Sequence, residues 1–271
     1  MALGRQGFGT GQEDAPAAER LVRLFVPAFM KLSAVQPYER VLAFGLEDAT
    51  PALLAAGRAG DEGEVLAVDP RPERVEAARQ RAEALGLRNI AFRVEDLDAP
   101  DLPRAWFDVA LCYLTLTQVR DVVGTLRRLG EALREVGRLG VATWGQPDRN
   151  RWLTVLQTAL RRTAPALADE LARLPMFSLA EPGLLSRRLA EAGYQDVTPE
   201  RSTAEVTFPD ADAFWTFVAE EFDRTAPLLA RLPAEQREAV REAALRGARW
   251  YRREDGLVWL PVEAFVGVAA K

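Results

Sequence analysis

Histidine is missing from this 271-residue chain, and cysteine and lysine are nearly so. Without histidine the chain lacks the usual general base at neutral pH, the commonest metal ligand and any Ser-His or Cys-His pair. The single cysteine, Cys112, excludes an intrachain disulfide and suits a reducing compartment. Lys31 and Lys271 are the only lysines among 35 basic residues, so arginine carries the positive charge, which reads as a coding or thermal bias. No apolar run reaches the ~18 residues of a membrane span, and the first residues lack the charged-then-apolar order of a signal peptide. A net charge of −5 and a pI near 5.2 give no electrostatic footprint for nucleic acid or an anionic membrane. Together these absences predict a soluble, cytoplasmic protein with no metal, no nucleic-acid partner and no membrane partner.

What is present is an alternation of apolar runs and helical patterns. Residues 1–16 carry glycine without periodicity and read as a flexible arm. Leu21, Leu24, Phe25, Ala28 and Phe29 then fall at helical spacing, predicting one helix to about Ala34. Val41 to Gly45 is a first strand, Thr50 and Pro51 suit an N-cap and first helical position, and Gly60 stops that helix. Val65 to Val68 is a second strand ending in Asp69. An acid at the tip of the second strand of a βαβ unit is where a doubly wound sheet holds a ribose diol, since a carboxylate accepts from both hydroxyls. A helix with stripe Val75, Ala78, Ala82 and Leu85 follows, then strands at Asn89–Val94, Phe107–Cys112 and from Gly137, with a helix over Thr117–Leu133 between the last two. Five strands alternating with helices mean a parallel, doubly wound sheet.

Past residue 150 the pattern turns helical, over about 151–174, 181–193, 211–222 and 233–253, with strands at Ala204–Phe208 and Leu257–Val268. The aromatic residues Trp144, Trp152, Met176 with Phe177, Trp215 and Phe217 suggest an apolar or aromatic small acceptor, set against core packing as the alternative. Trp144 and Gln146 follow the fifth strand, where a parallel sheet opens its ligand crevice. The arginine-rich run RGARWYRR (246–253) reads as a solvated helix end, with binding of an acidic acceptor or a partner subunit as the alternative.

In order, ERVLAFG, GEVLAVDPRPERVEAARQRAEALGLRNIAF, DAPDLPRAWFDVALC, ALREVGRLGVATWG and FSLAEPGLLSRRLAEAGYQDV resemble the successive motifs of class I S-adenosylmethionine (SAM)-dependent methyltransferases, nearest to the ubiquinone/menaquinone-biosynthesis (type 11) group. The resemblance runs from about Tyr38 to the C-terminus. It implies an α/β Rossmann-like fold with a doubly wound, seven-stranded, mostly parallel sheet and a helical cap in the C-terminal half. Residues 17–145 would form the SAM-binding core, and 146–271 the rest of the same domain, with the cap and a reversed strand hairpin.

The resemblance also implies roles. Gly45 matches the first glycine of the SAM loop, with Leu46 and Glu47 following it. Asp69, with Pro70 beside it, matches the ribose-binding acid. Asp96 with Leu97 matches the adenine contact in preference to Asp98, and Cys112 with Tyr113 matches the segment beside the methionine end. Trp144, Trp152 and Phe177 are the expected acceptor contacts. The family pattern D-x-G-x-G-x-G is altered here, with Ala43 for the acid and Glu47 and Ala49 for later glycines. Glu47 and Asp48 would repel a pyrophosphate, which sets a nicotinamide enzyme below a SAM protein. Tyr113, Glu47 and Asp148 are candidate bases, and no catalytic residue is singled out by spacing. The expectation is methyl transfer from SAM to a small molecule. The alternative is a catalytically silent relative serving as a binding or dimerisation module, and a homodimer stays open.

Overall fold

The computed structural model describes residues 15–271; residues 1–14 of the expected N-terminal arm lie outside the described residues. The chain opens with two short helices, α1 (Ala17–Arg23) and α2 (Val26–Ser33), where the apolar spacing predicts one. Pro27 explains the break. It has no N–H to bond back to the preceding turn, and it sits in the first turn of α2, where none is needed.

The alternation follows as β1 (Arg40–Phe44), α3 (Thr50–Ala59), β2 (Glu64–Asp69), α4 (Pro72–Ala84), β3 (Ile90–Val94), β4 (Phe107–Tyr113), α5 (Val122–Ala132) and β5 (Leu133–Trp144). Helix α5 starts five residues later than its apolar pattern, because Asp121 accepts from the Gly124 N–H at 2.9 Å and caps it there. The C-terminal half holds α6 (Arg151–Thr163), α7 (Pro165–Ala172), α8 (Leu184–Glu191), β6 (Glu200–Phe208), α9 (Ala211–Thr216) with a π turn at Phe217–Glu221, α10 (Ala226–Leu229), α11 (Ala234–Arg249) and β7 (Val258–Ala270). The seven strands lie in the order β3-β2-β1-β4-β5-β7-β6, with β1 to β5 parallel and β7 antiparallel to β5 from Arg138↔Ala270 to Trp144↔Ala264. This is the Rossmann-like, mostly parallel sheet that the motif order implies. The order reverses between β1 and β4, so a ligand crevice is expected past their carboxyl ends.

By contacts the chain forms two compact units. One comprises Phe25–Gln146, Pro175–Ser202 and Glu263–Lys271, and it carries the parallel sheet. Alternate residues of β1 divide its core. Leu42 and Phe44 join Ala110, Cys112, Leu139 and Val141 under Leu126 and Leu129 of α5 and Leu185 and Leu189 of α8. Ala43 and Ala67 face the other way, against Ala52 and Leu53 of α3 and Val75 and Ala78 of α4. Small side chains on that face let both helices approach the strands. Arg138 fastens the end of α2 to β5: its guanidinium donates to the Ser33 and Ala34 carbonyls and to both oxygens of Glu39 at 2.7–2.9 Å.

The second unit comprises the described residues to Leu24, Pro147–Leu174 and Thr203–Val262. Its centre is Trp152, fully buried, with ring edges against Phe217 (5.9 Å) and Phe222 (5.1 Å). Phe208 and Phe214 extend the cluster. Trp152 is therefore the hub of an aromatic core instead of a residue lining an open crevice, because its spacing on α6 places it on the apolar face with Val155, Leu156 and Leu160. Trp152→Ala is expected to cost about 3–5 kcal/mol in urea unfolding through the cavity it leaves. Trp250→Ala, at a position 89% exposed, should stay within about 0.5 kcal/mol of the parent.

Candidate functional site

Past the carboxyl ends of β1, β2 and β4 three loops meet. The first begins at Gly45, which donates to the Val68 carbonyl at 2.8 Å and turns with φ +82°. A Cβ there would lie 2.3 Å from the Thr115 side chain, so glycine is required by both the backbone angle and the close approach of the β4 loop. Thr115 is buried and its hydroxyl donates to the Tyr113 carbonyl at 3.0 Å.

Asp69 ends β2 and is 1% exposed. Its Oδ2 accepts the Leu46 N–H at 2.7 Å and its Oδ1 the Arg71 N–H at 2.9 Å, so one carboxylate joins the loops after β1 and β2. A charge held this far from water needs such donors. Pro70 beside it is exposed and Leu46 is buried. Helix α3 is capped differently from the sequence expectation. Asp48 Oδ1 accepts the Thr50 N–H at 2.6 Å, and Thr50 is already helical, with Pro51 behind it.

Glu47 is the hub of the loop. Its Oε2 accepts from Arg74 Nη1 and Gln118 Nε2, each at 2.8 Å, with Arg71 Nη2 at 3.5 Å, and the side chain is 9% exposed. Arg71 also reaches Gln118 Oε1 at 3.4 Å, and Arg74 the Leu46 carbonyl at 3.4 Å. Asp48 lies 3.9 Å from Arg81. This corrects the charge argument made from the loop alone: Glu47 and Asp48 are countered by arginines of the β2–α4 segment, so their charge gives no ground for excluding a phosphate-bearing ligand. Arg71, Arg74 and Gln118 were missed because they lie outside the glycine motif, though two arginines just after the ribose-type acid were a readable signal.

On the far side of β2, Asp96 is exposed and accepts the Asp98 N–H at 2.9 Å. Asp98 is engaged elsewhere, accepting the Arg120 N–H at 2.7 Å. Leu97 is buried against the core shared by Phe44 and Val68. At the end of β4, Cys112 and Tyr113 are both buried, and Tyr113 packs on Phe29 at 5.0 Å between ring centres. Burial pushes the Cys112 thiol up to about 12, outweighing the hydrogen bonds from the Leu116 and Thr115 backbone. Burial and then the charge of Asp48 raise the Tyr113 phenol well above its usual value, so Tyr113 stays protonated at neutral pH and is no base. Glu47 is committed to its arginines, and Asp148 is exposed in a short turn, Pro147–Arg149.

At the end of β5, Trp144 is buried with its ring edge-on to Phe25 at 6.3 Å. Phe177, in the turn Pro175–Phe177, is buried as well. Beside Trp144 stands a carboxylate that the sequence reading passed over. Glu263 of β7 is 2% exposed, pairs with Arg201 at 3.2 Å and accepts the Gln146 N–H at 3.1 Å. It was the one charged side chain in an otherwise apolar strand, VWLPVEAFVGVAA.

A family model described as "Methyltransferase domain" matches residues 49–173. An aklanonic acid methyltransferase, DauC, of Streptomyces sp. (strain C5) is 35% identical over 101 residues, 37% of this chain and 46% of that protein. The match thus spans about half that relative's length. A nocamycin O-methyltransferase of Saccharothrix syringae is 26% identical over 216 residues, 74% of this chain and 73% of its own. Among solved structures, a SAM-dependent methyltransferase from Aquifex aeolicus superposes with a TM-score of 0.51 at 20% identity, covering 74% of this chain and 94% of that one, which is a likeness of fold.

Two outcomes are expected. Glu47→Ala, which strands Arg71 and Arg74 without their carboxylate, should lower stability by about 1–3 kcal/mol in urea unfolding, with Glu47→Gln costing less because Gln118 and one arginine keep a partner. The second concerns alkali. The folded chain keeps the Cys112 proton that the unfolded chain gives up above 9.0, so stability should fall as pH rises from about 9 toward 12, by at most about 1.4 kcal/mol per unit from this group. Unfolding midpoints at pH 8, 9 and 10 should show a shallower decline in Cys112→Ala than in the parent.

Proposed function

We propose, from the premise that the chain carries a methyltransferase domain of the class I, SAM-dependent type, that it transfers a methyl group from SAM to a small apolar or aromatic acceptor. The observation that carries this reading is the Asp69 carboxylate at the tip of β2, set beside Gly45 at the point where the strand order reverses. Each Asp69 oxygen accepts one backbone N–H and keeps a lone pair for a ribose hydroxyl. On this reading Asp69 and Pro70 serve the ribose and exposed Asp96 the adenine amine, while Leu97, packed with Phe44 and Val68, offers the ring only an edge. Asp98, tied to Arg120, is the poorer choice for that amine. At the methionine end the segment Gly45 to Glu47 and the pair Cys112 and Tyr113 supply the walls, with Ala43 where the family has its acid.

SAM provides the activated methyl when bound. This chain's residues have to bind, orient and exclude water, and alignment alone is worth about 7–11 kcal/mol at best. Trp144 and Phe177 offer apolar surface for an acceptor. The nocamycin relative is named as an O-methyltransferase, which makes an oxygen acceptor the first to test. A second reading, a silent relative acting as a binding or dimerisation module, is favoured by one observation: Glu47 Oε2 is already engaged by Arg71, Arg74 and Gln118, which ties the loop to its neighbours without a ligand.

Titration calorimetry with SAM and S-adenosylhomocysteine tests both readings. Binding of both ligands in the micromolar range is expected, weakened at least tenfold by Asp69→Asn. Absence of heat for either ligand at high micromolar concentration would sink the enzyme reading, and unchanged affinity in Asp69→Asn would overturn the ribose assignment.

A further inference from the structure

The helical unit holds a cleft of about 470 Å³ between α6 and α11, within the range of small-molecule sites. Arg151, Thr154, Thr158 and Arg162 of α6 recur at the spacing of one helical face, and Arg246 of α11 joins them on the lining, with Trp250 and Tyr251 just past the end of α11. The floor is small. Gly247 lets α11 come close to α6: a Cβ there would lie 3.1 Å from Val155 Cγ1.

The charge of this cleft runs against that of the chain. Residues 149–162 contain four arginines and no acid, and so do residues 246–253, on a protein of net charge −5. Among the described residues, no carboxylate lines the cleft. Arg151 and Arg162 form no ion pair among the described residues, while Arg246 makes only a loose, exposed pair with Glu242 at 3.5 Å. Three arginines lie on the lining of this one cleft, and the planar fork of a guanidinium matches the two oxygens of a carboxylate or phosphate. Trp250 is 89% exposed, an unusual place for so large an apolar ring, and together with Tyr251 it offers faces on which a flat ring can stack.

We propose that this cleft binds an aromatic oxyanion, a flat ring carrying a carboxylate or a phosphate, with the anionic group held by arginines of the lining, Arg246 and whichever of Arg151 and Arg162 it reaches, and the ring on Trp250 with Tyr251. The proposal shares no residue with the nucleoside crevice and does not depend on the methyltransferase reading. It gives the run 246–253 a role in place of a merely solvated helix end.

The test is calorimetry on the full chain with 2-naphthoate, 2-naphthyl phosphate, the neutral 2-naphthylmethanol and inorganic phosphate. At least one naphthyl anion should bind with a dissociation constant below 1 mM, at least tenfold tighter than both the neutral alcohol and inorganic phosphate, and more weakly as salt is raised. The better of the two naphthyl anions identifies the oxyanion as carboxylate or phosphate. Arg151→Gln with Arg162→Gln should weaken it at least tenfold with the melting temperature unchanged, Arg151→Lys with Arg162→Lys should restore part of the loss, and Asp69→Asn should change nothing. Equal binding of the alcohol, equal binding of phosphate, or indifference to the paired Gln variant would each overturn the proposal. So would a stable dimer in light scattering that Trp250→Ala converts to monomer, since the face would then belong to a second copy of the chain.

Discussion

Everything at the crevice hangs on one carboxylate. Asp69 takes the Leu46 N–H on one oxygen and the Arg71 N–H on the other, and so holds the loop after β1 against the loop after β2. Because it is 1% exposed, its oxygens find their hydrogen-bond partners in those two amides instead of in water. The bond to Leu46 then dictates where Glu47 goes, and Glu47 lands between Arg74, Arg71 and Gln118, which brings in the loop after β4. Gly45 makes this closure sterically feasible, since any side chain would occupy the space of Thr115. Three loops that meet at the reversal of strand order are therefore positioned by backbone amides and one acidic pair, with only one glycine in a conformation that demands it.

Much of the fold was legible because buried parallel strands read as apolar runs and their helices as apolar stripes. RVLAF, EVLAVD and FDVALCY needed no other information. What failed did so for local chemical reasons. Pro27 divided a stripe that looks continuous from Leu21 to Phe29, and Thr50 is drawn into the first turn of α3 because the Asp48 carboxylate, two residues upstream, accepts the Thr50 N–H itself. Leu133 reads as the end of a helix by periodicity, but begins β5, where it pairs with Phe107 of β4. Tertiary pairing outweighed the local pattern there.

In the candidate site the positions of the acids were legible and those of their counter-ions were not. Asp69 could be placed from its distance along a βαβ unit, and Asp96 from the strand before it. The balance of charge could not, because the partners of Glu47 lie 24, 27 and 71 positions away and belong to two other loops. Aromatic residues were ambiguous for a different cause: apolar spacing on a helix says that a side chain is buried and is silent on whether a ligand or Phe217 and Phe222 bury it, as at Trp152. Glu263 was hidden by the reverse effect. A single acid in an apolar strand looks like an edge residue until the strand is found antiparallel to β5 with that acid beside the Gln146 amide.

The near-total use of arginine for positive charge then takes on a structural meaning. Arg138 ties α2 to β5 through four donors shared among two carbonyls and one carboxylate. Arg71 touches Asp69, Glu47 and Gln118 from one side chain, and Arg74 spans Glu47 and the Leu46 carbonyl. A lysine, with three donors on one nitrogen, could satisfy one corner of such an arrangement but not several separated acceptors in a plane. In this loop Glu47 and Ala49 stand where the motif that the chain resembles has glycines, so backbone amides alone do not define the path. The guanidinium forks of Arg71 and Arg74, at the start of α4, brace it instead, and the compositional bias that looked neutral in the sequence is what lets an acidic loop keep its shape.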